Sequence, residues 1–587
     1  MQAAKVAPTR LRCDRYAQQL PTIMQRIVII SILLVAIGIF SKVQSQNYED
    51  KLRQVDAFLS AKYNENTPGC VVGIIKDGEL IYNKGFGMAN LDYNIPLTSQ
   101  SVINVMSVSK QFTAGAIALL VIDRKLTLDQ PVRKYLPELP DYMHDVTIEN
   151  LIRHTSGIKD YEDLTRLAGN TPENIAYRSD GLRVILRQHG LNFPPNESFS
   201  YSNSGYLILS FVVEEVSGLP FSEFVKRRIF EPLEMNYSFF SDDPRMIIKN
   251  RVVSYGQNEN SNYFRYTLND NRLGPAGLFT TVGDLYKWDQ NFYHGKVGGK
   301  EFIEIMLSTH TLNNGEENEY AFGNIIDRHQ GFKEILHSGG LLGITCKISR
   351  FPTEHFTIIY LGNGSQNKND DLYPIANLFL IDEKLQVPAK TKKEEMTGHS
   401  FPKPSFSNPY EGIYKIDNRD LLIQLYRDED TDNLIWEVLD WNYKRRLYKH
   451  GEATFLLENG ELLDIDLEKG KFKLISANGK ETMGKKIATI DADSLMWFTG
   501  AYYSDELRAS YEITSQGNDL VFQVGEIDVK SPISLSTKEL TFYDKWLGEV
   551  TLNFEANDQG NINSFSISTD RTKNIKFNRN QDAHNKR

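Results

Sequence analysis

Apolar residues run together in the first half of "GCVVGIIKDGELIYNKGFGMAN", which starts at Gly69, and polar ones mix into the second, with a break between the halves at Asp77-Gly78. That pair tolerates the positive φ angles of a tight hairpin, so two antiparallel strands are expected on either side of it. Beyond Ser107 the period changes. Phe112, Ala116, Leu119 and Leu120 recur near every 3.6 residues, which predicts a helix with one apolar face. Helical patterns continue to about Met235, most clearly in "SGYLILSFVVEEVSG" and "PFSEFVKRRIFEPLEM", and strand patterns return in "LLGITCKISRFP" and "HFTIIYLGNG". Strands at both ends of a helical middle predict an α+β domain whose sheet is closed by its two termini.

Near Pro388 the pattern fades. "PAKTKKEEMTGHSFPKPSFSNP" is charged and proline-bearing with little to bury, so residues 388–409 read as a linker after a first domain over 46–387. From residue 410 to 587 short strand patterns are separated by turns at Asn459-Gly460, Lys469-Gly470 and Asn478-Gly479. This tail repeats itself: "YEGIYKID" from Tyr410 and "FTGAYYSD" from Phe498 put Gly412 and Gly500 at matching places, 500 − 412 = 88 residues apart. Two related β units, together a barrel or a sandwich, are expected. No titratable cluster marks the tail, which reads as a structural or substrate-gating part.

Composition changes this picture little. With 587 residues, 41% hydrophobic and 24% charged, the chain has material for more than one core. A net charge of -10 without a lysine-arginine block excludes nucleic acid as a partner and leaves a small-molecule or peptide substrate. At the N-terminus, Arg26 precedes an apolar run from Ile27 to Phe40 and the small-residue step Val43-Gln44-Ser45. The run is shorter than the roughly 20 residues of a spanning helix, so residues 1–45 read as an upstream extension and an export signal, giving a periplasmic or secreted protein with no stable membrane anchor once the signal is cut. An uncleaved single anchor is the alternative. Cys70 and Cys346 lie in apolar strand-like runs and read as buried thiols. No His/Cys/Asp spacing supports a metal, and no cofactor is expected.

The candidate chemistry starts at "NVMSVSKQF". A serine hydroxyl needs a base within hydrogen-bond reach before it attacks a carbonyl, and a lysine one helical turn on can be that base. Ser107 and Lys110 have this spacing, at a predicted helix N-terminus whose field favours an oxyanion and a neutral amine. The spacing alone is not selective, since Ser156/Lys159 and Ser365/Lys368 share it in loop-like surroundings, and a capping serine followed by a solvated lysine would have the same pattern. Two further stretches single out the first pair. "PPNESFSYSNSGYLIL" sets Tyr201 and Asn203 just before a helix, and "ILHSGGLLGIT" sets His337, Ser338, Gly339 and Gly340 at the opening of a strand.

Ser-x-x-Lys, Tyr-x-Asn and His-x-Gly in that order resemble the serine β-lactamase and penicillin-binding-protein superfamily, in its class C and D,D-peptidase (D-aminopeptidase-like) branch. "LIRHTSGI", "EPLEM" and "GPAGLFTTVGDLYKW" resemble that branch's connecting segments, and the resemblance runs from about Tyr48 to Val387. It implies a β-lactamase-like antiparallel sheet flanked by helices, with an all-helical subdomain. The β-rich tail resembles the lipocalin-like C-terminal domains of some D-aminopeptidases. The implied activity is that of a serine hydrolase cleaving an amide or ester (peptide, cell-wall fragment, small ester or β-lactam) through an acyl-enzyme on Ser107.

By the same resemblance Lys110 accepts the serine proton and Tyr201 exchanges protons with the leaving group and the attacking water. Asn203 binds the substrate amide or Lys110, and backbone N–H groups of Ser107 and Gly340 form the oxyanion hole, with His337, Ser338 and Gly339 lining the substrate strand. Read without the family, Tyr201 is a buried structural tyrosine and Asn203 a helix cap. His154 belongs to a structural turn. Two departures bear on the substrate: His337 stands where many relatives have a lysine that holds a carboxylate, and Pro194-Pro195 replaces a Pro-Gly near Tyr201. A non-catalytic ligand-binding or sensor protein of the same fold is the alternative reading, disfavoured because Ser107, Lys110, Tyr201 and Asn203 are all retained.

Overall fold

The structure is a computed structural model. It describes residues 48–382, apart from 175, 259–260, 268–269 and 366–370, and residues 410–580, apart from short stretches between the strands below. The signal segment and the linker over 388–409 lie outside the described residues.

The expected hairpin is present as β1 (Cys70–Lys76) and β2 (Glu79–Phe86) around Asp77-Gly78. The helical middle contains α1 (Lys110–Ile122), α2 (Tyr161–Leu167), α3 (Asn203–Ser217) and α4 (Val282–His294). Four strands follow: β3 (Ile325–His329), β4 (Phe332–Leu341), β5 (Ile344–Phe351) and β6 (Phe356–Gly362). They join the hairpin in one sheet of order β3-β4-β5-β6-β1-β2, every pair antiparallel. The two ends of this region therefore meet at β1 and β6, as an α+β arrangement requires.

α1 departs from expectation. Instead of one apolar face it is buried on every side from Lys110 to Leu120, as befits a central helix. Phe112 packs 4.4 Å, centroid to centroid, from Trp288 of α4, whose indole N–H donates to Gln111 Oε1 at 2.8 Å. α4 in turn lies on the sheet at Gly73, where a Cβ would come 2.3 Å from Val282 Cγ1. Its buried Asp289 accepts hydrogen bonds from Arg350 Nε at 2.7 Å and Thr357 Oγ1 at 3.0 Å. α3 is capped by the Ser202 hydroxyl, which accepts from the Gly205 N–H, and stops at Gly218 with φ +70°.

A helix over 48–62 and the helix Leu372–Leu380 form a compact unit of their own. The Tyr48 and Phe379 rings face each other at 6.5 Å, and Lys51–Asp382 and Lys62–Asp371 ion pairs tie their ends.

The tail forms two bodies of strands, and the barrel expected of this region is the first of them. The first closes on itself as an eight-stranded barrel running from Gly412–Ile416 to Glu481–Lys486, with Tyr414 beside Lys486 at the closure. The second is a nine-stranded meander from Gly500–Ser504 to Ile575–Arg579 whose first and last strands also pair, Tyr502 beside Arg579. Among the described residues no pairing joins its edge strands Ile527–Lys530 and Ile533–Ser536, so it stays open there.

The repeated residues make the same corner twice. Gly412 and Gly500 have φ +143° and +150°, open to glycine alone. The tyrosine two residues on donates its hydroxyl back to a carbonyl four residues earlier, Tyr414 to Tyr410 and Tyr502 to Phe498. A cation from the last strand lies over that ring, Lys486 at 5.8 Å and Arg579 at 5.6 Å.

Candidate active site

Ser107 sits in a 3-10 turn, Met106–Ser109, that runs directly into α1. The residue before it, Met106, is held at φ +48°, a strained value for a side-chain-bearing residue. Buried Asn104 stabilises that turn by accepting the Met106 N–H at 3.0 Å. The strain turns Ser107 out of the sheet edge into a half-buried position facing three other elements.

Lys110, one turn on, is fully buried. Its Nζ lies 3.1 Å from Ser107 Oγ, 2.8 Å from Asn203 Oδ1 and 2.9 Å from the carbonyl oxygen of Pro275. Burial pushes its pKa down to about 7, against the pull of Glu162 and Asp160. The amine is thus poised between its two protonation states near neutrality. The stretch "GPAGLFTTVGDLYKW" supplies Pro275 through a crowded turn: Gly274 has φ +106°, and its carbonyl accepts the Thr113 hydroxyl at 2.7 Å.

Tyr201 precedes α3, shares a side-chain hydrogen bond with Ser107, and lies with its ring centroid 4.7 Å from Lys110 Nζ. Burial raises its titration above the ordinary phenol value, and the hydrogen bond with Ser107 and the nearby Arg571 only partly oppose this. It is a protonated donor at rest, not a phenolate. Asn203 is the first residue of α3; the cap is Ser202, so Asn203 is left free to hold Lys110.

His154 packs its ring 4.3 Å from that of Tyr201, and its Nδ1 accepts the Ser202 N–H at 3.0 Å. Burial holds it neutral. It keeps the turn role assigned from the sequence and positions the tyrosine.

The third motif lies well inside β4, not at its opening. Gly339 faces the Ser107 turn so closely that a Cβ would fall 2.3 Å from the Val105 carbonyl oxygen and 2.8 Å from Ser107 N. Gly340 is more open, with only Ile344 O at 3.3 Å from such a Cβ. His337 is buried, with Nδ1 2.7 Å from Ser338 O and Nε2 2.8 Å from the Tyr320 hydroxyl. A carbonyl only accepts, so Nδ1 carries the proton and Nε2 accepts from Tyr320. Burial, with the Lys110 charge nearby, pushes the His337 pKa down to about 3. Neutral and with both ring nitrogens engaged, it has no N–H left for a substrate carboxylate.

Sequence reasoning allowed the tail a structural or substrate-gating part but named none of its residues at the site. The loop between Ile562–Ser568 and Ile575–Arg579 reaches this site, bringing the Arg571 guanidinium carbon 5.3 Å from the Tyr201 ring centroid. Asp160 and Asn192 donate to the Arg571 carbonyl oxygen at 3.2 and 2.8 Å. Asn192 Oδ1 accepts the Lys573 N–H at 2.8 Å, and Thr569 Oγ1 donates to Asp163 at 2.5 Å. Of the Ser156/Lys159 pair, which shares the Ser-x-x-Lys spacing, Lys159 serves this docking by pairing with Glu506 of the tail at 3.2 Å, while the Ser156 hydroxyl accepts the Ile158 N–H. Lys368, of the Ser365/Lys368 pair, lies outside the described residues.

Comparison with known proteins adds independent findings. The protein-family model described as Beta-lactamase matches residues 48–382. Penicillin-binding protein 4* of Bacillus subtilis (strain 168) is 30% identical over 366 residues, covering 59% of this chain and 79% of that protein. A D-aminopeptidase of Brucella melitensis biotype 1 is 26% identical over 472 residues, 79% of this chain and 85% of that protein. Among solved structures, the octameric penicillin-binding protein homologue from Pyrococcus abyssi is alike in fold, with a TM-score of 0.51 at 24% identity over 75% of this chain and 99% of that one.

Proposed function

The chain belongs to the Beta-lactamase family, as a serine hydrolase of the β-lactamase and penicillin-binding-protein type, and from that premise we propose that it is exported and cleaves an amide or ester through an acyl-enzyme on Ser107. The observation that carries this reading is the buried Lys110 amine, 3.1 Å from Ser107 Oγ and tuned to about pH 7. In the neutral form it takes the serine proton as Oγ attacks the carbonyl carbon. The oxyanion that forms is met by the backbone N–H groups of Ser107 and Gly340. Tyr201, still protonated, gives its proton to the departing nitrogen or oxygen and is refilled from Lys110. In the second half of the cycle these groups take a proton from water as its oxygen attacks the acyl carbon, then hand that proton to Oγ as its bond to the acyl carbon breaks, releasing a carboxylic acid and restoring the Ser107 hydroxyl.

The substrate proposed is a peptide, peptide fragment or small ester. The Brucella D-aminopeptidase match supports the peptide class, because its 472 residues exceed the region matched by the family model and so take in part of the tail. Export rests on Arg26 and the apolar run from Ile27 to Phe40.

A fluorophosphonate probe applied to the full chain tests the acyl-enzyme. The expected result is one adduct, mapped to Ser107 by peptide mass spectrometry and lost in Ser107→Ala along with turnover of p-nitrophenyl esters. Failure of wild-type protein to label, or labelling that persists in Ser107→Ala, overturns the reading.

A further inference from the structure

We propose that Arg571, delivered to the active site by the second body of the tail, binds a carboxylate of the substrate beside the scissile bond, so that the preferred substrates are amides or esters bearing a free carboxylate. This rests on the hydrolase reading above and names the substrate class of the same site.

The first support is an unpaired cation. Among the described residues the Arg571 guanidinium has no hydrogen-bond or ion-pair partner, only the Tyr201 ring. Three carboxylates come near it, and each is otherwise engaged. Asp160 accepts the backbone N–H groups of Asn203, Glu162 and Asp163. Glu162 is paired with Arg272 at 3.0 Å, and Asp163 takes the Thr569 hydroxyl. Their field keeps Arg571 charged against the effect of burial. An arginine whose backbone is tied down by Asp160 and Asn192, while its guanidinium makes no hydrogen bond among the described residues, is arranged for a planar anion.

The second support is the cavity beside it. Between α2 and the tail lies a cavity of ≈ 470 Å³ that begins at Leu341, next to Gly340. Six arginines line it, Arg166, Arg183, Arg187, Arg272, Arg508 and Arg571, against three acidic side chains. This excess of positive charge stands out on a chain of net charge -10. Arg187 Nε is buried without a hydrogen-bond partner among the described residues. A recess with this balance concentrates anions and repels an ammonium group.

The third is the vacancy of role left by His337, which is neutral and saturated. The positive charge that His337 does not carry is supplied from a chain segment more than two hundred residues on.

The test uses three matched ester substrates on the full-length enzyme: one with a carboxylate on the leaving-group side, one with it on the acyl side, and one capped as a neutral amide. Wild type is expected to favour one carboxylated ester over the neutral one by about tenfold to a hundredfold in kcat/KM, the range of one charge-assisted hydrogen bond. Which ester wins tells on which side Arg571 reads the anion. The preference should shrink with added salt, largely vanish in Arg571→Ala and partly return in Arg571→Lys, with both variants checked for an unchanged melting temperature. Equal turnover of all three esters, a preference for an added ammonium group, or a carboxylate preference that survives Arg571→Ala overturns the inference while the acyl-enzyme stands. Loss of Ser107 labelling with no turnover of any ester overturns the hydrolase reading itself.

Discussion

Lys110 shows what one side chain's surroundings decide. Ser107, Lys110, Tyr201 and Asn203 were readable because their spacing is a local property, and the structure brings all four within one set of contacts. The group that completes the lysine's environment was not, since Pro275 acts through its backbone carbonyl, which any residue type could supply. The state of the lysine has a kinetic consequence. Its folded pKa lies below the ordinary lysine value, so the neutral, proton-accepting form dominates above about pH 7 and is lost below it. Acylation, followed as kcat/KM for a neutral ester, should therefore rise about tenfold per pH unit on the acid side and level off above about pH 7. His337 contributes nothing to that limb, since its pKa of about 3 keeps it neutral throughout. Lys110→Arg keeps a positive charge that cannot be given up, and is expected to lose about 10²–10⁴-fold in kcat while the acid limb disappears. A limb centred near 10 instead would place the lysine in water.

At the scale of elements, periodicity located the hairpin, α3 and the strands β5 and β6, and erred where burial overrode polarity. β4 begins at Phe332, before the motif expected to open it, because Lys333 and Glu334 are not typical strand residues. Glu334 is buried all the same, accepting the Ser349 hydroxyl and facing Lys347 at 3.8 Å on the neighbouring strand. α1 departs in the opposite sense: its polar positions Gln111 and Thr113 are buried and satisfied internally, so no solvent face exists. The close approach of β4 to the Ser107 turn assigns different roles to two adjacent glycines. Gly339→Ala sets a Cβ against the Val105 carbonyl oxygen and Ser107 N, atoms of backbone that cannot step aside, and so should displace the nucleophile turn. Activity is expected to fall at least about a hundredfold, with a lowered melting temperature. Gly340→Ala meets only Ile344 O, at 3.3 Å, a tight contact that a shift of a few tenths of an ångström relieves, and should lower the melting temperature less than Gly339→Ala does. Comparing the two by thermal melts and ester turnover checks which glycine the strand needs.

At the scale of the whole molecule, composition distinguished a mixed domain from a β-rich tail but not the docking between them, because its contacts join residues far apart in sequence. Tyr511 donates to the Leu167 carbonyl oxygen at 2.9 Å and Thr569 to Asp163, pairs separated by 344 and 406 residues. No local pattern encodes such pairs, and the loop around Arg571 reads on its own as a solvated turn. The apolar side of the docking is equally shared. Leu164, Leu167 and Val184 belong to the same core as Phe522, Phe565 and Phe577 of the tail. The helix that carries this seam, α2, also begins beside Asp160, which holds both Asn203 and the Arg571 carbonyl. Loosening the seam should then be felt as a change of selectivity and not only of stability. Leu167→Ala leaves a buried cavity that costs about 2–5 kcal/mol, and the tail's grip on α2 bears that loss. Amides of residues 571–574 are expected to exchange with deuterium faster than in wild type, and the preference for a carboxylated over a neutral ester to fall several-fold. The Ser107–Lys110 pair, which depends on α1 and α3, should still label with the fluorophosphonate. If exchange in that loop rises while the carboxylate preference stays whole, the tail is a structural brace and not part of substrate recognition.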